Sequence, residues 1–236
     1  MKKPTVRRKY AWTEIIGIIL LISLICSVLY SLARVISAPV EIPEGEPYEK
    51  VKSDYVLMLL QCSMGLVVMF LPTLVSRKFK IVVPNTICIM YYVFLYCAIF
   101  LGEVFDFYYL VPHWDTMLHA FSGATLGALG FALVDILNKE KNVSGVSLSP
   151  FFVSVFSFSF ALAVGALWEV YEFAFDYFFG LNMQKHTTAQ GVQLIGRLAL
   201  SDTMKDIIID AAAALVISVL GGILNKIKQI SAKKEQ

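Results

Sequence analysis

The chain has 236 residues, 58% of them hydrophobic and 16% charged, with a mean hydropathy of +0.70. A water-soluble globule is excluded, because so apolar a chain would leave several long stretches with no water-facing side. The net charge of +2 is too small to mark a polyanion binder, and no nucleic-acid partner is expected.

Six stretches, 14–36, 55–76, 83–105, 114–137, 150–175 and 203–224, reach the roughly 20 apolar residues that a helix needs to cross a bilayer. They predict an all-α, polytopic membrane protein: one membrane domain over 1–236, folded as a six-helix transmembrane bundle. Lys2, Lys3, Arg7, Arg8 and Lys9 precede the first stretch, as they would in a secretory signal. Its apolar core is longer than the roughly 7–15 residues of a signal peptide, and Pro39 follows the best cleavage candidate, Ala38. The first stretch is therefore expected to remain as a span.

Residues 38–54 follow as an outer loop rich in glutamate, with Pro39, Pro43 and Pro47, and read as a solvated connector. Residues 177–201 form the second outer loop. Its part from Gly191 to Leu200 is partly amphipathic and fits either a short interfacial helix or a lid over neighbouring acids. Phe105, Tyr108, Tyr109, Trp114, Trp168, Tyr171, Tyr177 and Phe178 gather at the same helix ends, as a headgroup-level aromatic belt would. Cys26, Cys62, Cys88 and Cys97 all fall inside predicted spans without a CxxC spacing, so they read as packing residues. Asn142-Val143-Ser144 matches a glycosylation acceptor, but its side of the membrane makes it a chance match.

Positive charge predicts the orientation. Most of the 20 basic residues lie at one set of helix ends, including Arg77, Lys78, Lys80, Lys139, Lys141, Lys226 and Lys228 besides the N-terminal five. Basic short loops stay in the cytoplasm, so both termini are expected to be cytoplasmic, with anionic membrane lipid as the partner of that surface.

Half of the 18 acidic residues lie toward the opposite ends: Glu103, Asp106, Asp115, Glu169, Glu172, Asp176, Asp202, Asp206 and Asp210. Ionisable groups in or near the hydrocarbon are costly, and their default reading is a functional site. Glu169, Glu172 and Asp176 share one helix face at i, i+3, i+7. They also sit at a helix C-terminus, where the macrodipole disfavours acids. Glu103 and Asp106 share that disadvantage, so a metal ion, shared protons or basic partners must offset them. Asp202, Asp206 and Asp210 recur at i, i+4, i+8. Asp202 reads as a helix cap; Asp210 lies about 12 Å deeper and has no such explanation. Asp115 reads as a cap or first-turn acid, with His119 one turn further on the same face. Gly123 and Gly127 then form a GxxxG step that allows close helix approach.

Asp115, His119, Glu169, Glu172, Asp176, Asp202, Asp206 and Asp210 thus form the candidate metal-ligand set, with His119 and Glu172 as candidate proton carriers. Many oxygens and one nitrogen favour magnesium, calcium or manganese, with zinc or iron possible through His119. Lys185, His186 and Arg197 in the adjacent loop offer charge to an anionic headgroup.

The ordered motifs Trp114-Asp115-Thr116-Met117-Leu118-His119-Ala120-Phe121-Ser122-Gly123, Trp168-Glu169-Val170-Tyr171-Glu172-Phe173 and Asp202-Thr203-Met204-Lys205-Asp206 resemble the YjdF-like family of bacterial inner-membrane proteins, over roughly residues 100–220. The family tends to carry a Gly-Thr-Gln-Gly-type turn just before its last acidic motif; here Ala189-Gln190-Gly191 stands well ahead of Asp202. The resemblance implies a six-helix protein of the bacterial inner membrane, with Asp115, His119, Glu169, Glu172, Asp202 and Asp206 as a shared polar set, and no particular reaction.

Three functions remain open. One is a metal-dependent hydrolase or transferase acting on a lipid-linked or anionic substrate. The second is a non-catalytic structural or sensing role. The third is a transporter of divalent cations or protons, which the scarcity of acids in the inner half disfavours; Asp135 lies near that edge. The sequence leaves the oligomeric state open.

Overall fold

The structure is a computed structural model that describes residues 12–41, 49–80, 82–140, 148–188 and 190–234. Lys2, Lys3, Arg7, Arg8, Lys9, Pro43, Pro47, Lys141, Asn142-Val143-Ser144 and Ala189 lie outside the described residues. Every regular element among the described residues is helical; a single bridge joins Thr187 and Gln193.

Among the described residues, six helices are long and apolar enough to cross a membrane. The first is α1, Trp12–Ser37. The second is broken into α2, Lys52–Val68, and α3, Leu71–Phe79. Pro72 lies at the start of α3, where its missing N–H costs little. The third combines α4, Asn85–Leu95, with π-helical turns over Tyr96–Val104. A short α5, Phe107–Leu110, follows. The remaining three are α6, Trp114–Glu140, α7, Pro150–Phe179, and α8, Arg197–Lys234.

The chain forms two compact units, Met1–Pro112 and His113–Gln236. In the first, Leu20 and Leu24 of α1, Met58 and Cys62 of α2, and Leu95 and Ile99 of the third span make one buried cluster. Glu103 and Asp106 belong to this unit. Asp106 has the basic partner its position demands: Lys50 Nζ lies 2.7 Å from its Oδ1, and also donates to the Glu103 carbonyl at 3.4 Å.

In the second unit α6, α7 and α8 pack against one another pairwise. Gly127 of α6 faces Ala214 and Ile217 of α8, so the GxxxG step does serve close approach. α7 opens with Ser149, whose Oγ accepts from Phe152 N–H at 3.2 Å. It closes on Gly180 in the left-handed conformation (φ +62°). The outward faces stay apolar, with Phe151, Leu167, Val170, Leu215 and Ile223 exposed. Such faces suit a hydrocarbon surround.

The last helix differs from its expected start. Gly196 (φ +62°) turns the chain, and α8 begins at Arg197 rather than 203. Asp202 is therefore inside the helix and is not its cap. Residues 191–196 are irregular, so no separate interfacial helix forms there.

Candidate metal centre

The start of α6, the end of α7 and the start of α8 bring their acids together around His119. Asp115, at the second position of α6, is half-exposed, and its Oδ1 lies 3.8 Å from His119 Nε2 one turn on. Glu169 Oε1 of α7 approaches the same nitrogen, also at 3.8 Å. Asp206 of α8 completes a group in which one ligand atom each of Asp115, His119 and Asp206 lie within 4.8 Å of one another. His119, Glu169, Asp206 and Asp210 are all buried.

The other side of the imidazole is held differently. His119 Nδ1 lies 3.2 Å from Asp210 Oδ2. Ser122 Oγ donates to Asp210 Oδ1 at 3.0 Å and to the His119 carbonyl at 2.9 Å. A carboxylate can only accept, so Nδ1 carries the proton in this bond and Nε2 is turned toward the acids. At 3.8 Å, Nε2 is beyond hydrogen-bond range of either carboxylate.

Asp210 fits because two glycines leave it room. A side-chain carbon on Gly165 would stand 2.6 Å from Asp210 Oδ2, and one on Gly123 would stand 2.6 Å from the Asp210 carbonyl oxygen. Neither Ser122 nor Gly165 stood out in the sequence as a site residue. Gly165 lies one turn before Glu169 on α7, which is the signal that could have marked it.

The remaining expected ligands are Glu172, Asp202 and Asp176. Glu172 is half-buried and interacts with Glu169, Asp115 and His119, and its Oε1 accepts from Trp168 Nε1 at 2.9 Å. Asp202 stands one turn outward from Asp206, close enough to Asp115 and Lys185 to interact with both. Asp176 is not drawn into the cluster. Its two oxygens accept from Met183 N–H at 2.6 Å and Gln184 N–H at 2.9 Å, and His186 Nδ1 lies 3.4 Å away. These bonds also answer the helix-dipole problem, since backbone N–H groups neutralise an acid that the helix end disfavours.

The loop after α7 is thereby tied down. Leu181 and Met183 are buried, Asn182 and Thr187 bond reciprocally at 3.0 and 2.9 Å, and Gln184 Nε2 donates to Thr203 Oγ1 of α8 at 2.8 Å. Lys185 at the loop's tip lies near Asp115, Glu172 and Asp202.

Fold and site together define a multi-pass helical membrane protein with a buried Asp/His cluster at one end of a three-helix unit. The chain belongs to the family of predicted membrane proteins designated DUF2238, whose pattern it matches over residues 46–226. That stretch includes every residue of the cluster. Neither a curated protein nor a solved structure matches it.

Proposed function

We propose that the chain binds a divalent cation among Asp115, His119, Glu169 and Asp206, and uses it as a hydrolase or transferase on a lipid-linked substrate. The observation that carries this reading is Glu169 Oε1. Among the described residues it is buried without a hydrogen-bond donor, and it lies 3.8 Å from His119 Nε2. Leaving a buried carboxylate oxygen unmade is expensive. A cation between Nε2 and the surrounding oxygens would satisfy that oxygen. Asp210 would then be the residue that orients the imidazole, as carboxylates commonly do for metal-bound histidines.

An oxygen-rich set with one nitrogen favours magnesium, calcium or manganese, and admits zinc or iron. Such an ion lowers the pKa of bound water and polarises a phosphoryl or carbonyl oxygen. Glu172, half-buried beside the cluster, is the proton carrier in this reading. The charge bias of the loops supports cytoplasmic termini, which places the cluster toward the outer face of a bacterial inner membrane. The YjdF-like motifs support that membrane.

The test is metal analysis of the full-length protein in lipid nanodiscs after incubation with each cation. A bound divalent ion is expected, lost in His119→Ala and Asp206→Asn while the variants remain monodisperse. Unchanged metal content in both variants would refute the site. Glu172→Gln should keep the ion and lose turnover on lipid-linked phosphoryl and acyl substrates.

A further inference from the structure

The far end of the same three-helix unit carries a groove of about 370 Å³ between α7 and α8. Pro150, Ser154 and Phe158 line one side; Ser218, Gly222 and Lys226 line the other. Its walls are almost wholly apolar, and among the described residues Lys226 is the single charged one that lines it. Gly222 keeps it open, because a side-chain carbon there would collide with Ser154 Oγ. The Ser154 hydroxyl is already used, donating to the Pro150 carbonyl at 2.9 Å. Ser218 is not so placed. It is 2% exposed, and among the described residues its Oγ is buried with no hydrogen-bond partner.

An apolar trough with a cation at one end asks for a ligand of matching order: anionic head and hydrocarbon tail. From Asp202 to Lys226, α8 rises about 36 Å, more than the roughly 30 Å of a hydrocarbon core. With the acidic end of the helix near one surface, Lys226 therefore reaches the headgroups of the other. We propose that this groove is a binding site for an anionic phospholipid, with its phosphate against Lys226, its ester groups facing Gly222 and Ser218, and an acyl chain along Phe158 and Leu215. A lysine at headgroup depth favours a lipid of net negative charge over a zwitterionic one, whose phosphate is balanced by its own ammonium group.

The test uses the full-length protein in nanodiscs with photoactivatable phosphatidylglycerol or phosphatidylcholine of identical chains, followed by peptide mapping. Phosphatidylglycerol should label residues 150–158 and 215–226 several-fold more than phosphatidylcholine. Lys226→Gln, at an exposed position, should bring it down to the phosphatidylcholine level. Val219→Trp, also exposed and lining the groove, should remove labelling by both lipids there. Equal labelling by the two lipids, or phosphatidylglycerol labelling that survives both substitutions, overturns the proposal.

Discussion

His119 uses its two nitrogens for different purposes, and the residues around it divide accordingly. Nδ1 is fixed by Asp210 at 3.2 Å, which Ser122 holds in turn. Nε2 faces Asp115 and Glu169 at 3.8 Å, a spacing that suits a shared ion better than a direct bond. Asp210→Asn should therefore lower metal affinity about 10- to 100-fold without abolishing it, since an orienting residue is lost and no ligand is. Competition against a chromogenic chelator measures this; an unchanged affinity would remove Asp210 from the centre. Gly165→Ala pushes a methyl group to 2.6 Å from Asp210 Oδ2. It should cost roughly 1–3 kcal/mol in stability by overpacking, read from thermal unfolding in detergent, and weaken the metal as well. Asp115, His119 and Asp206 were legible in the sequence because acids and a histidine at helical spacing stand out against apolar neighbours. Ser122 and Gly165 were not, because a small residue on a packed helix looks the same whether it faces a methyl group or a carboxylate.

Among the elements, the loop between α7 and α8 departs most from expectation. Its polar composition suggested a connector, yet Asp176 pins it through two backbone N–H groups at 2.6 and 2.9 Å. Asp176→Ala should free Met183 and Gln184, raising amide exchange over residues 181–188 at least tenfold while metal content stays unchanged. Loss of the ion in that variant would instead make Asp176 part of the centre. At the other end of α7, Ser149→Ala removes a cap and should cost about 1 kcal/mol, visible as faster exchange over the first turn of the helix. Helix existence and order were readable from hydropathy, because a bilayer demands long apolar runs. Helix starts were not. Arg197 to Ser201 looked like loop because their polarity says nothing of the Gly196 turn that launches α8 five residues before Asp202. The same limit hid the role of Asp176, since a carboxylate aimed at backbone N–H groups has no sequence periodicity.

At the scale of the whole molecule, the cluster joins three helices of one unit, His113–Gln236. An ion that binds only the folded form adds about 2.7 kcal/mol at one hundred times its dissociation constant. Chelation should therefore lower the melting temperature of the full-length protein by several degrees, and added divalent ion should restore it. A melting curve indifferent to chelator would mean that direct side-chain contacts alone hold these helix ends. The buried carboxylate of Asp210 also bears on how the protein is made. α8 leaves the ribosome after α6 and α7, and it carries that acid well inside its apolar run. Placing an unaccompanied aspartate at mid-helix costs roughly 2.5–3.5 kcal/mol on biological insertion scales. An already inserted α6, presenting Ser122 and the histidine, offers the newcomer a host, so translocon handover of α8 becomes a joint event rather than a solitary one.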